Sequence, residues 1–118
     1  MSKRQSKQKQ RQVGHISLEE AACSEAKSIA ARPFVLTVES HFAGYFNELG
    51  ITITVNDTAL SSDIIKLRNE LQEKLEILLP SGTAPFSWQV IFMRTNKIIE
   101  TLFPGDARRE ETDELKAV

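Results

Sequence analysis

The side chains most often recruited as nucleophile, base or metal ligand are few in this sequence: one cysteine, Cys23, and two histidines, His15 and His41. A nucleophilic cysteine needs an adjacent base and a depressed thiol pKa. Neither histidine shares a motif with Cys23, which sits between Ala22 and Ser24 with no aromatic or glycine signature beside it. As zinc ligands the three are too scattered, because structural sites are built from ligand pairs at close spacing. The adjacent carboxylates Glu19-Glu20, Glu110-Glu111 and Asp113-Glu114 read as solvated faces, since neighbours on a helix point about 100° apart and do not converge on one substrate. The loop Pro80 to Pro85 has a single glycine and no lysine, so it lacks the spacing and charge of a phosphate-binding loop. These readings assign no catalytic residue, no cofactor and no metal, and they favour a non-enzymatic protein.

The one dense positive field is MSKRQSKQKQRQ, where Lys3, Arg4, Lys7, Lys9 and Arg11 stand without an acid among them. These five are the candidate phosphate contacts. The interleaved Gln5, Gln8, Gln10 and Gln12 add amide groups, but no aromatic is present to stack on a base. With a whole-chain charge of −1, the five bases leave −6 for everything after residue 12. A body of that sign repels a phosphate backbone, because nonspecific nucleic-acid affinity is largely counterion release by clustered Lys and Arg. The sequence therefore favours a small binding or regulatory adaptor acting through a protein partner or self-association. A nucleic-acid-associated accessory protein that uses the arm is the alternative.

At 118 residues, with 41% hydrophobic and 26% charged side chains, the chain has the composition of one ordinary globular domain. No apolar run approaches the roughly 20 residues that cross a bilayer. The residues after the basic start do not form the apolar region of a secretory leader, and one cysteine cannot close an internal disulfide, so a cytoplasmic location is expected. The expected organisation is a disordered basic arm over 1–12, a single globular domain over 13–105, and a charged tail over 106–118 that is either a loose helix or frayed. The scarce aromatics Phe34, Phe42, Phe46, Phe86, Trp88, Phe92 and Phe103 are expected to matter to packing.

Within the domain, Ser17-Leu18-Glu19-Glu20 has the form of a capping box, which predicts a helix over 17–31 ended by Pro33. Leu18, Ala22, Ala26 and Ile29 form its stripe. Alternation predicts strands over 34–39 and 51–56, and an apolar hairpin over 86–94 and 97–103. Ile64, Leu67, Leu71, Leu75 and Leu78 mark a helix over 62–79, capped by Ser61 or Ser62 and supported outside by Lys66, Glu70 and Lys74. Residues 41–49 read as a short helix ended at Gly50, against the alternative of a long hairpin turned at Asn47 to Gly50. The resulting fold class is α+β: two layers, one mixed sheet of about four strands, and helix 62–79 on one face. The expected core is Phe34, Leu36, Val38, Ile51, Ile53, Val55, Ile64, Leu67, Leu71, Leu75, Leu78, Trp88, Val90 and Phe92.

Overall fold

Alternating apolar side chains on Ile51, Ile53 and Val55, and again on Trp88, Val90 and Phe92, demand a buried sheet face, and the chain builds one. The computed structural model describes residues 14–111 and 115. Its elements are α1 (Gly14–Ile29), β1 (Val35–Ala43), β2 (Glu48–Val55), α2 (Ser61–Leu78), β3 (Ser87–Arg94) and β4 (Lys97–Leu102). The sheet order is β1-β2-β3-β4. The outer pairs are antiparallel hairpins, and the central β2–β3 pair is parallel. A parallel pair needs a long crossover, and α2 supplies it. The α+β class with its mixed four-stranded sheet is the one the sequence predicts. The arm over 1–12, with its five candidate phosphate contacts, lies outside the described residues.

One face of the sheet is dry. Leu49, Ile51, Ile53 and Val55 of β2 are buried together with Trp88, Val90 and Phe92 of β3 and Leu102 of β4. Ile64, Leu67, Leu71 and Leu75 of α2 pack in the same cluster. Ala22, Ala26 and Ala30 recur at steps of four and are fully buried. The small side chains let α1 lie close against α2.

Several boundaries move for identifiable reasons. Helix α1 starts at Gly14, which puts Ser17 inside its first turn instead of at the N-cap. It ends at Ile29, where the Arg32 Nε donates to the Ile29 carbonyl at 3.0 Å. The N-cap of α2 is Leu60 in an extended conformation, with no side-chain cap from Ser61 or Ser62. Glu70 on the outer side of α2 pairs with Arg32 beyond the end of α1.

The largest correction concerns residues 41–49, which form no helix. Strand β1 continues to Ala43 and β2 begins at Glu48, with the turn at 44–47. Asn47 takes the left-handed conformation at φ 51 that the sequence reading gave to Gly50, while Gly50 sits in the ladder opposite His41. Leu36, expected in the core, is 61% exposed, because the register shift between Val35 and Thr37 leaves it unpaired as a bulge. Leu78 is half-buried, and Leu79 takes the core position instead. Residues 106–110 are not helical. They run along α2, whose buried arc includes Ile65, Arg68, Asn69 and Gln72 besides the leucine stripe.

The β3–β4 turn places both Thr95 (φ 49) and Asn96 (φ 63) in the left-handed region, the geometry of a type I′ turn. Thr95 is held there by its hydroxyl, which donates to the Asp57 carboxylate. Glycine at the second position suits this turn best, so Asn96→Gly is expected to raise stability by about 0.5 kcal/mol. A denaturant melt checks this; a lower midpoint would contradict the turn assignment.

Candidate functional site

The turn between β1 and β2 carries the most exposed aromatic side chains of the described residues. Tyr45 is 94% and Phe46 75% exposed. Phe46 is among the aromatics the sequence expects to matter to packing, but the turn carries it out. Two successive turn bonds build the projection: Phe46 N–H donates to Ala43 O at 3.1 Å, and Asn47 N–H donates to Gly44 O at 3.3 Å. The two rings then meet edge to face, with centroids 5.0 Å apart. Beneath them a second pair, Phe42 and Phe86, packs edge to face at 5.3 Å and ties the hairpin to the start of β3.

Asn47 fixes this end of the molecule. Its side-chain amide donates to Pro85 O at 2.6 Å, and its carbonyl accepts from Ser87 N–H at 3.1 Å. The opposing loop is itself stiff, because Thr83 and Ala84 N–H both donate to Pro80 O. Asn47→Ala is therefore expected to cost about 1 to 3 kcal/mol through the left-handed backbone and the lost bond. Asn47→Gly should lose less, since it keeps the conformation. Equal losses in a thermal melt would show that the backbone conformation contributes nothing.

Between the hairpin tip and the 80–86 loop lies a groove of about 310 Å³, walled by Phe46, Pro80, Pro85, Phe86, Trp88 and Pro104. None of its lining residues is ionisable. Trp88 is buried, and its indole N–H finds no acceptor in the structure. An indole N–H in a dry wall ordinarily has a partner. The groove thus combines aromatic and proline walls with the polar but uncharged Asn47, Ser81 and Ser87, which suits an uncharged chain segment; the indole N–H lies buried behind its wall. It has no charged side chain to pair with a phosphate or a metal.

The other sequence candidates do not converge here. Cys23 is half-buried on α1 against the core, and His41 is exposed on β1. No hydrogen bond joins the two among the described residues. The described residues contain no group of three His, Cys, Asp or Glu placed to hold a metal. None of their helices is long and apolar enough to cross a membrane. The opposite face of the sheet presents Glu39, Thr52, Ile91 and Thr101 in one cross-strand row and Thr37, Thr54, Met93 and Ile98 in the next. Those two rows contain no aromatic, so they lack a stacking platform for bases. No family model matches the chain, and no curated protein or solved structure matches it.

Sequence reasoning missed Tyr45 altogether. The available signal was an adjacent Tyr-Phe pair between Gly44 and Asn47, two turn-forming residues, with alternating strands on either side.

Proposed function

We propose that this protein is a small non-enzymatic binding module that engages a protein partner through the Tyr45–Phe46 hairpin end. The observation that carries this reading is the exposed aromatic pair on a hydrogen-bonded turn beside an uncharged groove. Exposed aromatics contribute nothing by burial to the fold of the free chain, yet Tyr and Phe bury roughly 150–250 Å² each when covered. Such anchors beside a preformed pocket are where binding energy concentrates in protein interfaces. Because Asn47 and the Pro80 loop fix the backbone beforehand, little ordering entropy is lost on binding.

The groove has no side chain that shuttles protons near neutral pH, which favours recognition over acid–base chemistry at this site. It also has no Lys or Arg to release counterions from a phosphate backbone. The test is a capture experiment from host extract with the full chain, with the chain lacking residues 2–12, and with and without nuclease. The expected partner is a protein retained in all four arms. Capture that vanishes with nuclease or with deletion of Lys3, Arg4, Lys7, Lys9 and Arg11 would transfer the function to nucleic acid.

A further inference from the structure

At the far edge of the sheet, α2 turns a polar face toward the segment that follows β4, and the contacts there are unusual in kind. Asn69 donates from Nδ2 to Arg109 O at 2.6 Å and accepts from Arg109 N–H at 3.2 Å, so one amide reads both backbone groups of one residue. Gln72 Nε2 donates to Asp106 O, and Arg68 Nη2 donates to Ala107 O at 3.4 Å. Two side chains of residues 106–109 are also engaged by the body of the domain. The Arg109 guanidinium donates to the Glu100 carboxylate, and Asp106 Oδ2 lies 3.6 Å from Arg68 Nη2. Arg68 is 3% and Glu100 9% exposed, and they pair with each other at 3.3 Å, out of line for a hydrogen bond at Nε.

The segment held here is non-helical, with an acid three residues before an arginine. In the free chain this occupant is Asp106-Ala107-Arg108-Arg109. The contacts that hold the occupant are polar, and the groups beneath it are solvated again once it leaves. Buried ion pairs tend to break even against desolvation, so the attachment of the segment to the chain contributes to holding it in place. Pro104-Gly105 makes the turn into the segment, with Gly105 at φ 83 and its N–H donating to the Glu76 carboxylate at 3.0 Å, while Phe103 and Asp106 bond each other across the turn.

We propose that the Arg68, Asn69, Gln72 and Glu100 site is a second interaction surface, independent of the hairpin end. It accepts in trans a peptide segment with the acid-x-x-Arg pattern, and residues 106–109 act as its displaceable internal occupant. The intact chain competes with any such peptide at the effective concentration of a short tether, which is on the order of millimolar.

The test uses the full chain and a fluorescein-labelled peptide of residues 104–118 as the probe. Arg109→Ala removes the internal segment's pairing with Glu100 and leaves the site intact, since Glu100 keeps Arg68. In that variant the residue-109 amide should exchange with solvent at least about tenfold faster, and the probe should bind at least about tenfold more tightly than to the wild type. Adding Asn69→Ala should remove most of that gain, with Trp88 fluorescence reporting that the fold is retained. Three results would overturn the proposal. The first is a residue-109 amide that stays protected in Arg109→Ala, showing the segment to be a fixed part of the fold. The second is a released segment with no probe binding. The third is binding indifferent to Asn69→Ala.

Discussion

Leu71→Ala is expected to lower the stability of the domain by about 2 to 5 kcal/mol. Leu71 is the midpoint of α2, has no exposed surface, and sits within the cluster that joins both helices to the sheet. Its neighbours along the helix, Leu67 and Leu75, are equally buried, so no adjacent side chain can swing in from solvent to fill the space. The loss therefore combines the transfer of three carbons with a cavity that the packed surroundings close only partly. For a domain of this size that is a drop in Tm of about 10 °C or more. A thermal melt followed by circular dichroism measures it, and an unchanged midpoint would mean that α2 does not cover the sheet.

Truncating the hairpin end should have the opposite profile. Tyr45→Ala with Phe46→Ala removes two rings that the fold does not bury, so the melting transition should stay within about 0.5 kcal/mol of wild type. Partner affinity should fall by on the order of a hundredfold or more, which corresponds to roughly 3 kcal/mol spread over two aromatic anchors. Calorimetry or surface binding with the captured partner separates the two effects. A large loss of stability with unchanged affinity would make the pair a structural feature of the turn.

These two residues also mark where sequence reading succeeds and fails in this chain. Ile51, Ile53 and Val55 announce a one-sided strand because β-branched residues alternate with threonines, and the leucines of α2 recur at helical spacing with little interruption. Both patterns report a single buried face, and both elements form where they are expected. The stretch from Ser40 to Gly50 satisfies the two periods at once, and Gly50 resembles a helix terminator. In the fold Asn47 takes the left-handed turn instead, since its amide also reaches Pro85, a contact 38 residues away that local pattern cannot reveal.

The polar arc of α2 was hidden for a related reason. Arg68, Asn69 and Gln72 have the composition of a solvent face, yet they are buried where residues 106–109 and Glu100 of β4 meet them. Leu36 erred in the other direction: alternation from Phe34 assigns it inward, while a bulge sends it out. In each case the deciding contact joins segments distant in sequence, so hydrophobic period alone is silent about it. The groove has the same origin, since its walls come from the β1–β2 turn, the 80–86 loop and Pro104.

Whether the hairpin end meets a protein decides the function proposed for this chain. Its most direct test is photo-crosslinking in host cells from a benzoylphenylalanine placed at Tyr45, with the same group at Glu39 on the uncovered sheet face as the control. One or a few discrete crosslinked proteins are expected from position 45, insensitive to nuclease, absent from position 39 and lost when Phe46→Ala is added. Crosslinks to nucleic acid, or products that form equally from both positions and survive Phe46→Ala, would contradict the proposed function.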